Sequence, residues 1–402
     1  MAALAKTAVA PSETPTPEPE NPQVQFSLPA FAAILKNLAK IIPKRTRIPF
    51  LKCVKVTAHR TNPKLAVLSV TDMEHGVHIT LEANISSDFA CLIDINKLIM
   101  LVENLKQEEH ITFEMQNGCV TVYLGSFSVD VPARTHAKNL EEFDKLQNLY
   151  RTQLSSSPPT FSLPNATIIN IFAKLIDFVA RDKYRPYLNG IYIHMDDSDK
   201  LAFVATDGRI LARYRLSVSD EIRDIIKPRG ILIPHHTIKT FLLHCRHYRG
   251  DVIIAVAEKA VSFTTETITI ESELIDTTYP DYRRLINDDY ALEARLYTKA
   301  LTEAINQVTS MATDKKAIVT FVFAPNQFTL SHLADDGTKV ERQGYAETNI
   351  TLTTHFHKHV LLAIIRHIPV ATIMRFKNDQ DVIQIYDADD PNITYLILSA
   401  QL

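Results

Sequence analysis

Histidines are the side chains of this sequence best placed to do chemistry, and they crowd two stretches: His235, His236, His244 and His247, then His355, His357, His359 and His367. On a helix, His355 and His359 would stand at the i, i+4 spacing of a metal-binding face. No HExxH occurs, however, and no nearby carboxylate completes a ligand set, so no metal is expected. These histidines read instead as polar or partly charged donors near a polyanion, gaining charge as pH falls through about 6.5. Cys53, Cys91, Cys119 and Cys245 are widely spaced with no CxxC pair, so they read as reduced and mostly buried thiols.

A hydrolase built on Asp207 with a neighbouring histidine is the enzymatic alternative. Asp207-Gly208 already has a structural explanation, as the turn of a hairpin in ATDGRILA (205–212). No GxSxG, catalytic cysteine arrangement or dense carboxylate cluster accompanies it, so no catalytic residues are expected and the protein is not read as an enzyme. Glycine is scarce, with 9 in the chain, and no two lie closer than seven positions apart. That spacing excludes GxGxxG and GxxxxGK[ST], so no nucleotide cofactor is expected.

The elements that must position these residues belong to an ordinary globular chain. It has 402 residues, 46% of them hydrophobic and 22% charged, enough for several domains with substantial cores. No apolar run approaches the ~20 residues needed to span a bilayer, and no basic-then-apolar leader opens the chain. A cytoplasmic location without a membrane partner is the expectation. Residues 1–23, rich in Pro, Glu and Thr, are expected to be a disordered tail.

Beyond the tail one order of elements recurs. A helix with Phe31, Ile34, Leu35, Leu38 and Ile41 on one face precedes alternating strands, and a second helix with Ile95, Leu98, Ile99, Val102 and Leu105 precedes more. The order returns after Ser155–Pro159 and again near Tyr297. Asp72, Asp207 and Asp336 mark turns separated by 135 and 129 residues, a period of domain size. The fold class is α+β: three similar domains, each with two helices on a mostly antiparallel sheet, at 24–154, 155–287 and 288–402.

The net charge of −3 alone argues against a polyanionic partner. The six helix windows (28–47, 95–106, 165–185, 235–249, 298–316 and 355–367) nevertheless sum to +14, leaving −17 for the remainder. Basic helices facing one way would attract phosphates through backbone contacts insensitive to base sequence.

RPYLNG (185–190), ATDGRILA and YPDYRRLI (279–286), in this order within a threefold α+β repeat, resemble the bacterial sliding clamp, the beta subunit of DNA polymerase III; phage-encoded clamps share these features. The resemblance spans about residues 24–402 and is most specific in the middle domain. It implies a processivity factor: a head-to-tail homodimer closing a ring around double-stranded DNA, with helices inside and sheets outside. The implied partners are DNA, the replicative polymerase, the clamp loader and other proteins carrying a clamp-binding motif. A non-encircling peptide-binding scaffold of the same fold is the alternative.

The resemblance also implies site residues. A partner-peptide cleft between the second and third domains would use Leu188, Thr206, Gly208, Leu211, Pro280, Arg284, Leu285, Leu396 and Leu398. DNA contacts would come from Arg45, Arg47, Arg181 and Lys183 on loops, and from Lys174, Lys239, Arg246 and Lys358 on helices. Phe127 and Met311 would sit at the dimer interface. The family commonly ends Met-Pro-Met-Arg-Leu, whereas this chain ends Leu398-Ser399-Ala400-Gln401-Leu402, and Arg209-Ile210 replaces a polar residue followed by arginine. Both departures bear on which partner anchors the cleft accepts.

Overall fold

The computed structural model describes residues 21–400 except 106, 117, 229, 287–289, 313–316, 335 and 378–381. Most of the expected tail lies outside the described residues, but order begins before its expected end. Gln23–Ser27 is already a strand, paired with His110–Gln116.

Short strands of this kind are what the sequence pattern left out. Each amphipathic helix is entered directly from a strand: Gln23–Ser27 into Leu28–Leu38, Phe89–Asp94 into Ile95–Asn104, Thr160–Pro164 into Asn165–Leu175, Ile231–Pro234 into His235–His244, Leu292–Tyr297 into Thr298–Val308, and Leu352–His357 into Lys358–Ile365. No turn residues separate strand from helix, so the two periodicities run together. Phe26, and Phe356 from the 355–367 helix window, are buried inward residues of these lead strands.

Three strands follow each helix, and the lead strands are exchanged within each pair of such units. Thr160–Pro164 pairs with Asp251–Val256, while Ile231–Pro234 pairs with Gly190–Met195. Leu292–Tyr297 and Leu352–His357 exchange in the same way onto Ala371–Phe376 and Ile318–Ala324. The ladders are antiparallel, so one sheet face alternates inward and takes the helices. Inside, Phe172, Phe241 and Phe263 meet with centroids 5.2 to 6.2 Å apart, and Phe321 meets Phe356 at 5.3 Å. Aromatic contacts in such offset and edge geometries add about 0.5–1.5 kcal/mol each beyond area burial.

The turn after the second strand of each triple supports the long period. Met73, Gly208 and Gly337, each following one of the marker aspartates, have φ of +85°, +90° and +83°. Two of these left-handed positions use glycine, for which the conformation is cheap, and one holds a methionine.

Contacts gather the chain into two compact units: the described residues of Met1–Asp72 with His78–Lys145, and of Met73–Val77 with Leu146–Leu402. In the first, an unexpected helix, Ala137–Lys145, places buried Phe143 against Cys53 and Leu92, and Asp144 Oδ1 lies 2.7 Å from Lys55 Nζ. In the second, helix Asn148–Leu154 packs on Ala260–Thr264 and buries Tyr150, with Arg151 Nε 3.1 Å from Glu271. The stretch before Ser155 is thus folded structure.

The second unit contains the feature that positions the site. Its eight-stranded sheet runs Ile231–Pro234, Gly190–Met195, Leu201–Thr206, Ile210–Leu216, Ile393–Leu398, Val382–Asp387, Ala371–Phe376, Leu292–Tyr297. Ile210–Leu216 and Ile393–Leu398 join at its centre, with Ile210 opposite Ile397 and Leu211 opposite Leu396. On the helix side, Lys174 Nζ reaches Asp390 Oδ2 at 2.7 Å, and Arg366 Nη2 reaches Asp177 Oδ2 at 2.8 Å. Hydrogen bonding and ion pairs thereby tie the 160–285 region to the 290–400 region.

Candidate functional site

Strand alternation at the central junction sends Ile210, Ala212, Tyr395 and Ile397 toward the helices. Leu211, Leu396 and Leu398 point to the other face. There Leu211 and Leu396 form one apolar cluster with Ala202, Val204, Leu232, Tyr279 and Tyr282. The 275–286 segment supplies the two tyrosines and lies across the sheet. Tyr279 stacks on Tyr192 at 4.7 Å and 11°, Tyr192 stacks on His194 at 4.8 Å, and Tyr282 Oη lies 2.8 Å from His194 Nε2. Tyr192, His194, Tyr279 and Tyr282 were absent from the expected cleft residues, although YPDYRRLI itself was singled out.

The expected cleft residues therefore divide by exposure. Leu211, Leu396 and Leu188 are buried, Leu188 closing the turn Pro186–Leu188. Leu398 and Leu285 are exposed at 57% and 50%, and Pro280 and Arg284 are exposed on the overlying segment. Thr206 shapes the hairpin: its Oγ1 donates to Ile210 O at 2.7 Å and accepts from Gly208 N at 3.0 Å. Asp207 Oδ1 accepts from the backbone N–H groups of Arg209 and Ile210, at 2.8 and 2.9 Å, so its carboxylate holds the turn. Gly208 is favoured by its φ of +90°; a Cβ there would also lie 2.8 Å from Arg185 Nη1, which as the end of a flexible side chain can shift.

Beside this hairpin a cavity of about 370 Å³ opens between Gly208, Arg209, Phe356, His357, His359, Val360 and the closing residues Ile397, Leu398, Ser399 and Ala400. Ala400 is held at its rim, its N–H donating to His355 O at 2.8 Å. His355 lies in a strand, where its Nδ1 is 3.0 Å from Thr320 Oγ1, and His359 lies in the following helix. The i, i+4 helical pair expected for 355 and 359 does not form, because the strand runs through His357. Among the described residues no group of three or more His, Cys, Asp and Glu is arranged to hold a metal ion.

The basic residues are scattered in circumstance. Arg45 and Arg47 are exposed on the loop after Leu28–Leu38; Lys183, Lys239 and Arg246 are exposed, and Lys358 is half-buried. Arg181 is exposed, with Nη2 3.1 Å from His235 Nε2. Lys174 differs: its side chain is only 15% exposed and its ammonium also lies 3.8 Å from Asp387. Phe127, 43% exposed, opens the edge strand Phe127–Val131 in the first unit. Met311 is 66% exposed beyond helix Thr298–Val308.

Burial lowers the proton affinity of His194, His235 and His367; Arg181 and Lys239 add to the effect at His235. His235 therefore stays neutral to lower pH than free imidazole does, contrary to the expected gain of charge near 6.5. The unfolded chain, with histidines near pKa 6.5, binds protons that the folded chain refuses. Stability is then fully present above about pH 7 and is lost as pH falls through 6.5 toward the depressed folded values. Thermal melts should show Tm falling from about pH 7.5 to pH 5.5, with a shallower fall in His194→Gln; a flat profile contradicts this linkage.

Residues 162–281 match the family model described as DNA polymerase III beta subunit, central domain. The beta sliding clamp of Buchnera aphidicola is 22% identical over 374 residues, covering 91% of this chain and 96% of its own. That of Caulobacter vibrioides is 25% identical over 237 residues, 58% of this chain and 63% of its own. The sliding clamp of Bartonella birtlesii, solved bound to griselimycin, superposes with a TM-score of 0.82 at 20% identity, covering 94% of this chain and 99% of that one. That of Pseudomonas aeruginosa, also bound to griselimycin, gives 0.82 at 17%, covering 95% and 100%.

The chain is similar to the beta sliding clamps. It has their fold over nearly its whole length, and the family model covers the segment that carries RPYLNG, ATDGRILA and the first three residues of YPDYRRLI. Among its described residues no helix is long and apolar enough to cross a membrane.

Proposed function

We propose that this chain is a DNA polymerase processivity factor, a non-catalytic clamp that acts as a head-to-tail homodimer encircling duplex DNA. Three similar domains per chain, at about 24–154, 155–287 and 288–402, would give a ring of six from two copies. The observation that carries the reading is the clamp fold along almost the entire chain. Its charge is partitioned as such a ring requires, positive in the helix windows and negative elsewhere. Phe127–Val131 and Lys339–Gly344 each end their sheets as edge strands among the described residues. Edges of this kind suit closure by a second copy, and Phe127 on the first edge and Met311 after helix Thr298–Val308 are both exposed.

The deciding experiment compares retention on closed circular and linearised plasmid after loading. A clamp stays on the circle and slides off the free ends, whereas a non-encircling peptide scaffold shows the same retention on both. Mass measurement in solution should give two chains. For the basic loops, Arg45→Ala with Arg181→Ala should lower the slope of log affinity against log salt by about 2, one phosphate for each arginine, without changing the mass. An unchanged slope removes these two residues from the DNA-facing set.

Polymerase, loader and other clients would dock on the face that carries Leu211, Leu396 and Leu398. An apolar surface interrupted by a few polar markers holds leucine or phenylalanine anchors of a short linear motif.

A further inference from the structure

The cavity beside the Asp207 hairpin has a charge character that an apolar anchor does not explain. Its floor is Phe356, Val360, Ile397 and Leu398, and its polar wall is Arg209, His357 and His359. Among the described residues no carboxylate lines it. The nearest acid along the chain, Asp207, spends its Oδ1 on the turn amides of Arg209 and Ile210. Among the described residues the exposed Arg209 guanidinium pairs with no carboxylate, and the two imidazoles stand 5.7 Å apart, centroid to centroid. A guanidinium offers a planar fork of donors matched to two oxygens, and imidazoles add further N–H donors.

We propose that this cavity takes an acidic group of the partner, a Glu or Asp side chain or a C-terminal carboxylate, and so makes the protein selective for acidic clamp-binding peptides. The proposal rests on the reading of the neighbouring face as a partner cleft. Leu398 belongs to both places: it lines the cavity, and it follows Leu396 by two positions on the same face of the strand, about 7 Å away. One extended peptide can therefore set its apolar anchors on that face beside the exposed Leu398 and place a residue two to five positions upstream in the cavity. Arg209 fixes the choice, since a neutral amide leaves the guanidinium without a counter-charge while a carboxylate supplies a charge-assisted, bidentate contact.

The test uses the full-length protein and fluorescein-labelled peptides ending in a Leu-Phe anchor, with Glu, Gln or Lys at each of the five upstream positions. At one position Glu should bind at least tenfold more tightly than Gln, and Lys more weakly than Gln. Arg209→Ala should erase the Glu preference while leaving affinity for the Gln peptide within about twofold, a split that general loss of folding would not produce. His359→Gln should reduce the preference in the same sense. Equal affinity for Glu and Gln, with both lost in Leu398→Asp, overturns the acidic selectivity and leaves the cleft standing. Absence of binding by every anchored peptide overturns the cleft and this inference together.

Discussion

Leu398→Asp should weaken a Leu-Phe anchored peptide by about tenfold to a hundredfold while leaving the fold and the dimer intact. The asymmetry comes from exposure. Leu398 is 57% exposed, so the folded chain draws little from burying it, and a carboxylate there stays hydrated. A bound peptide would have to desolvate that carboxylate against its own apolar anchor, an uncompensated polar burial. Leu211 is the more obvious position from sequence, but it is only 6% exposed and packs with Tyr279, Tyr282 and Leu396. A lysine there would disturb the cluster, and lost binding could not be told from lost structure. Fluorescence polarisation with a parallel melt checks the prediction; unchanged affinity in Leu398→Asp removes this face from the site.

Lys174→Ala should destabilise the second unit by about 2–3 kcal/mol, since it strands a carboxylate in a nearly closed place. Asp387 is 3% exposed and Asp390 has 18% of its side chain exposed; Lys174 serves both from the helix Asn165–Leu175. For a body of this size the loss corresponds to a Tm lower by roughly 5–10 °C. Lys174→Met with Asp387→Asn should recover part of it, because removing both charges removes the uncompensated one. The salt dependence of DNA binding should be unchanged, which separates this structural role from the phosphate contact suggested by a basic residue on a helix. A normal melt combined with a shallower salt slope would reverse the assignment.

Lys174 illustrates where sequence reading reaches its limit. Its place on a polar helix stripe was legible, but the Asp387 and Asp390 that occupy it lie more than two hundred residues away. The helices and long strands were legible because their periodicities are local. The lead strands were not, since four to six residues such as Ile231–Pro234 run straight into a helix, although the prolines at Pro164, Pro234 and Pro29 mark those starts. At the proposed site, the family resemblance named Leu211 and Leu396. The Tyr279, Tyr192, His194 stack and the Arg209 cavity did not, because both depend on which chain segments cross the sheet.

The exchanged lead strands bear on how the chain is made. Thr160–Pro164 leaves the ribosome some ninety residues before its partner Asp251–Val256, which at cellular synthesis rates is a wait of roughly 5–20 s. Until then its hydrogen-bonding edge has nothing of its own to close against. Each exchanged pair closes only when its second half emerges, so a chain halted midway would present the kind of sticky β-edge that chaperones bind.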